Sequence, residues 1–109
     1  MANLFANIPT DLPEEVFEGL VSTENVRIER ILSQGQSSPE SGWYEQDEHE
    51  WVLVVSGFGV IEFEDGRVIT LNKGDYLNIK AREKHKVQAT SLDQKTVWLA
   101  IFYKSSNIL

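Results

Sequence analysis

Leu71-Asn72-Lys73-Gly74-Asp75-Tyr76-Leu77-Asn78-Ile79, followed by His85, is the stretch that decides how this chain folds. It reads as a strand, a glycine turn, a second strand and then an imidazole. Upstream, Glu50 and Gly57 bracket the apolar run Trp51-Val52-Leu53-Val54-Val55-Ser56, the same plan with a carboxylate as the chemical group. Two such halves in a chain of 109 residues suit a small all-β barrel that brings a carboxylate and an imidazole together inside it. Donors of that kind suit a hard or borderline divalent metal.

Working outward from these halves, the period stays at two. Val26-Arg27-Ile28-Glu29-Arg30 alternates as a half-buried strand does. Ser33 to Gly42 is a loop by composition. Val60-Ile61-Glu62-Phe63-Glu64 and Arg67-Val68-Ile69-Thr70-Leu71 flank Asp65-Gly66, a hairpin turn whose central residues need positive φ. Lys86 to Ala89 is a further short strand, and Thr96 to Tyr103 is almost wholly apolar, which predicts a central strand. Ahead of all this, Asp11-Leu12-Pro13-Glu14 looks like a helix start, with Val16, Phe17 and Leu20 at helical spacing. The expectation is a short N-terminal helix near 13–19, packing Phe17 and Leu20 onto the barrel. The chain divides into an arm over residues 1–25, a barrel over 26–103 and a tail over 104–109.

Composition removes several functions. The formal net charge is −7, which opposes nucleic acid and anionic membrane as partners because a phosphate-binding face needs a positive stripe. There is no Cys, hence no disulfide, thiolate cluster or cysteine nucleophile. No apolar stretch approaches the ~18 residues of a membrane span, and Met1 to Ala6 lacks the basic and apolar regions of a signal peptide. The expectation is a cytoplasmic protein.

The spacing resembles that of the cupins, small jelly-roll barrels, over roughly residues 26–103. Their second motif is a Gly, five residues, usually Pro, one residue, usually Gly, two residues and a His. Gly74 and His85 occupy its ends, with Lys80 at the proline position and Arg82 at the glycine position. The motif's later Asn falls on Ala89. Of the first motif (His-x-His, three or four residues, Glu, six residues, Gly), Glu50 and Gly57 are present, but both histidines are replaced. Tyr44 and Gln46 stand there with the shorter gap, Trp43 and Glu45 with the longer. The resemblance implies an all-β cupin jelly-roll with the short N-terminal helix as an addition. In cupins two histidines, the Glu and the later His hold Mn, Fe, Ni, Zn or a similar ion. Carried over here, the metal set is Gln46, Glu50 and His85, for a divalent Zn, Mn, Fe or Ni.

Strand alternation places Tyr44, Gln46, Glu48 and Glu50 on one face, toward His85. Tyr44, Trp98 and Glu48 are the expected ligand-pocket residues. His49 should point the other way, to solvent. Among the acids from Glu40 to Glu50, pairing across the barrel mouth with Arg82 and Lys84 is expected. A metal is not required by this arrangement, since a buried carboxylate and imidazole can satisfy each other. The residues leave open a metal-assisted enzyme on a small polar substrate, a metal-free small-molecule binder, and a structural dimer with a filled barrel. A small-molecule partner and a homodimer are the expected associations.

Overall fold

A computed structural model of the chain describes residues 1–104. Eight strands run through it: β1 Val16–Ser22, β2 Val26–Ser33, β3 His49–Ser56, β4 Phe58–Phe63, β5 Val68–Asn72, β6 Tyr76–Ile79, β7 His85–Thr90 and β8 Thr96–Tyr103. They form two antiparallel sheets, a five-stranded one in the order β1-β2-β8-β3-β6 and a three-stranded one in the order β5-β4-β7. This is the jelly-roll architecture that the turn spacing predicts. The near-continuous apolar run of β8 lies at the centre of the larger sheet, between β2 and β3. The expected strand at each position from β2 to β8 is present.

The short helix near 13–19 is not. Residues 16–22 are β1, an edge strand whose Val16, Phe17 and Glu18 lie opposite Leu32, Ile31 and Arg30 of β2. The reason is non-local. Without β1, the outer edge of β2 would present its N–H and C=O groups unpaired, and that gain outweighs a weak local preference for helix. Phe17 and Leu20 are consequently about half exposed rather than packed onto the barrel. The arm before β1 crosses the outer face of the larger sheet, where Leu12 packs with Leu32 and Val97. Buried Arg30 fastens it, donating to the carbonyls of Leu4 at 2.9 Å and Ala6 at 2.7 Å and pairing with Glu18 at 2.7 Å.

Between the sheets, Val52, Val54, Ile61, Phe63, Leu71, Ile79, Trp98, Ala100 and Phe102 make the core. Trp98 is the largest of these, and Gly59 on the facing β4 gives it room: a Cβ built at Gly59 would fall inside the indole. Gly59→Ala therefore forces the buried indole to shift or the site to overpack, a change that costs typically ~1–3 kcal/mol. Urea unfolding should show a loss of that size for Gly59→Ala. Gly19→Ala, where nothing lies within 4 Å, should stay within about 0.5 kcal/mol of the parent protein.

Candidate functional site

The two half-motifs meet across the gap between the sheets. Alternation along β3 turns Glu50 inward with Val52 and Val54, and β7 opens on His85, whose side chain enters from the smaller sheet. His85 Nε2 lies 3.3 Å from Glu50 Oε1, with the side chains only 4% and 11% exposed. His85 Nδ1 is 2.9 Å from the Glu83 carbonyl, which can only accept, so Nδ1 carries a proton. The segment carrying Tyr44 is bonded to β7 through Tyr44 N–H to the His85 carbonyl at 2.8 Å and His85 N–H to the Tyr44 carbonyl at 3.1 Å.

The turn before His85 explains how a chain without the motif's second glycine keeps the same path. Arg82 adopts φ +70°, the left-handed conformation that costs a non-glycine residue roughly 1–2 kcal/mol. Its N–H donates to the Gln46 carbonyl at 2.8 Å and its guanidinium reaches Asp47 at 2.8 Å, which offsets the strain. Lys84 pairs with Glu64 at 3.6 Å. Both cations therefore meet acids at the barrel rim, Arg82 finding its partner in the acidic segment and Lys84 finding its own in the turn after β4.

Burial works against a charge on His85, but the hydrogen bond to Glu50, the Glu83 carbonyl and the Glu50 charge together raise its pKa above the ordinary histidine value. Facing the Glu50 carboxyl therefore favours the imidazolium form of His85 more than water does. Burial also raises the Tyr44 phenol, and the Glu15 and Glu50 charges push the same way, so Tyr44 stays neutral.

Glu50 and His85 open onto a cavity of about 340 Å³. Val52, Ile61, Ile79, Trp98 and Phe102 make its apolar part, while Ser38, Tyr44 and Gln46 join the pair on its polar side. Tyr44, Gln46, Glu50, His85 and Trp98, all selected from sequence, are therefore brought together. Glu48 is not on the wall: it stands one step back and binds Arg27 at 2.9 Å. His49 points away as expected, but it is engaged rather than merely solvated, accepting the Ala81 N–H on Nδ1 at 3.0 Å and packing on Tyr103.

Three charged wall residues escape the sequence reading: Glu15, Arg27 and Glu29. The alternation of β2 is real, but its charged members Arg27 and Glu29 face the cavity mouth together with Ile31. Arg27 lies 3.9 Å over the Phe102 ring and bonds Glu29 at 2.8 Å. Burial opposes its charge, and the bond to Glu48 with the surrounding carboxylates more than compensates, raising its pKa.

The donor set does not fit a resident divalent metal. Among the described residues no three His, Cys, Asp or Glu side chains converge on one point. Gln46 turns its Nε2 amide hydrogens to Glu50 Oε1 at 3.3 Å, so its ligand-type oxygen is directed away from that carboxylate oxygen. What remains is one imidazole and one carboxylate already joined to each other, against the three or four protein ligands of Zn, Mn, Fe or Ni sites.

The cupin-domain family model matches residues 29–102. A solved structure from Ralstonia eutropha JMP134, provisionally named a mannose-6-phosphate isomerase, is 40% identical, with a TM-score of 0.90 over 96% of this chain and 98% of that one. A cupin superfamily protein from Desulfitobacterium hafniense DCB-2 aligns at 20% identity and a TM-score of 0.74, over 90% of this chain and 84% of that one. An RmlC-like cupin with a double-stranded β-helix fold from Methanocaldococcus jannaschii aligns at 18% and 0.71, over 89% and 86%. At those identities the last two speak for the fold alone. No curated protein matches the chain. The chain belongs to the cupin family.

The raised pKa of His85 makes stability depend on pH with a definite sign. A group whose folded pKa exceeds its unfolded value contributes fully below the unfolded value, about 6.5 for histidine, and that contribution is lost as pH rises through the folded value. Urea unfolding from pH 5.5 to 9 should therefore show the advantage of the parent protein over His85→Gln shrinking across that range. Below it, the variant should be weaker by about 1–3 kcal/mol, the cost of leaving the buried carboxylate without its charged donor.

Proposed function

We propose that this cupin binds a small organic molecule in the barrel, against the paired Glu50 and His85 side chains and without a resident metal. The observation that supports this reading is the pair itself, buried between the sheets yet facing an open cavity of about 340 Å³. A purely structural pair would be closed over by side chains, as in a filled barrel. The volume falls within the ~300–1,000 Å³ of small-molecule sites. One side of the cavity offers aliphatic and aromatic surface for an apolar body; the other offers His85, Tyr44, Gln46 and Ser38 for a polar end. His85 and Glu50 can give or take a proton there, so binding and proton-transfer chemistry share one arrangement.

The provisional name of the Ralstonia relative would make the ligand a phosphorylated hexose. The wall here argues otherwise. Glu15, Glu29 and Glu50 line it against Arg27 and His85, and both cations are already paired. A phosphate would meet three carboxylates on the wall and no free cation among the lining residues to receive it.

We further read the protein as a cytoplasmic homodimer. Among the described residues no helix is long and apolar enough to cross a membrane. The edge strand β1 carries half-exposed Phe17, Leu20 and Val21 beside unpaired backbone, which suits a second copy.

Chelator-treated protein melted with and without Zn, Mn, Fe or Ni tests the metal-free reading. No ion should raise its Tm, whereas a bound ion at a hundred times its Kd would stabilise by ~2.7 kcal/mol, or several degrees for a domain of this size. An ion that stabilises the parent protein but not His85→Gln contradicts it. Native mass spectrometry of freshly purified protein should show a non-covalent organic adduct that Trp98→Ala does not retain.

A further inference from the structure

Two of the three carboxylates on the cavity wall are matched by cations: Glu29 by Arg27 at 2.8 Å and Glu50 by His85 at 3.3 Å. Glu15 is not, for no Lys, Arg or His among the described residues lies within ion-pair distance of it. It is nevertheless fixed in place from the core outward. Glu15 Oε2 accepts the Ser33 hydroxyl at 2.7 Å, and Ser33 Oγ accepts the Trp98 indole N–H at 3.2 Å. Ser33 is fully buried and Trp98 is clasped against Gly59, so this relay has little freedom. Glu15 Oε1 has no hydrogen-bond partner among the described residues.

A half-buried carboxylate with one oxygen held by a rigid relay and the other unused is prepared for a donor from outside the chain. Of the three wall carboxylates Glu15 alone has no cation partner among the described residues, while Glu29 shares Arg27 with Glu48 and Glu50 faces His85. The aromatic wall already accepts a cation, since the Arg27 guanidinium rests on Phe102. A charged donor on Oε1 would form a bond roughly twice as strong as a neutral one, and an anion would be repelled.

Resting on the binding reading above, we propose that Glu15 is the ligand-recognition residue of the barrel and that the ligand is a small organic amine. Its ammonium sits on Glu15 Oε1 and its apolar body enters the cavity against Trp98 and Phe102. Ser33 acts as a positioning residue, holding the carboxylate through its other oxygen.

Calorimetric titration of the full chain at pH 7 with n-pentylamine, pentan-1-ol and pentanoate tests this, because the three probes share a body and differ in the head group. The amine should bind about tenfold more tightly than the alcohol, with pentanoate weakest. In Glu15→Gln, which keeps an acceptor for Ser33, the preference for amine should vanish while the alcohol affinity stays within about twofold. Ser33→Ala should lose part of the amine preference and keep alcohol binding. If the probes bind but the amine has no advantage, or keeps it in Glu15→Gln, the role of Glu15 is wrong and the binding reading stands. If none of the three binds the parent protein, the binding reading falls and the inference falls with it.

Discussion

The contact between Glu50 and His85 joins the two sheets at the point where their interiors face each other. Glu50 comes from β3 in the larger sheet and His85 from β7 in the smaller. Removing both side chains from water is costly, and the cost is recovered only if the pair is charged, hydrogen-bonded and correctly spaced. The Glu83 carbonyl fixes the imidazole ring, and the Gln46 amide donates to the carboxylate oxygen that faces it. The main-chain bonds between Tyr44 and His85, and between Arg82 and Gln46, hold the supporting loop and the turn to each other. A change in any of these would move one half of the pair.

A second line of constraint starts in the core. Gly59 admits Trp98, Trp98 orders Ser33, and Ser33 orders Glu15. This line connects the packed core to the cavity mouth and belongs to residues far apart in sequence. The two lines bound one cavity, with a carboxyl–imidazole pair on one wall and a carboxyl without a cation partner among the described residues on another. Electrostatics of that kind discriminates against anions more strongly than it selects any particular shape.

Much of the fold was legible because its signals are local. The Asp65-Gly66 turn, the alternation of β3 and β4 and the apolar run of β8 each depend on neighbours in sequence. Glu50 and His85 were legible by spacing from Gly57 and Gly74. The N-terminal segment was misread because Asp11, Pro13 and Glu14 carry local helix-start chemistry, whereas what makes residues 16–22 a strand is the open edge of β2. Arg27 and Glu29 were read as the outward half of an alternating strand. That reading assumes that inward positions are apolar, and it fails where the interior is a polar cavity mouth. Glu15 carried no signal at all: its place follows from β1 lying beside β2, with two strands between β1 and β3.

The central claim is that His85 directs its Nε2 to Glu50 Oε1, at 3.3 Å, rather than to a metal. Nitrogen-detected NMR of the His85 ring reads this directly, because protonated, neutral and metal-bound imidazole nitrogens resonate apart. The account predicts both ring nitrogens protonated at pH 6.5, a midpoint above the ~6.5 of free histidine, and the same spectrum after excess Zn is added. A neutral ring at pH 6.5, or an Nε2 resonance that moves to the metal-bound position with Zn, would contradict it.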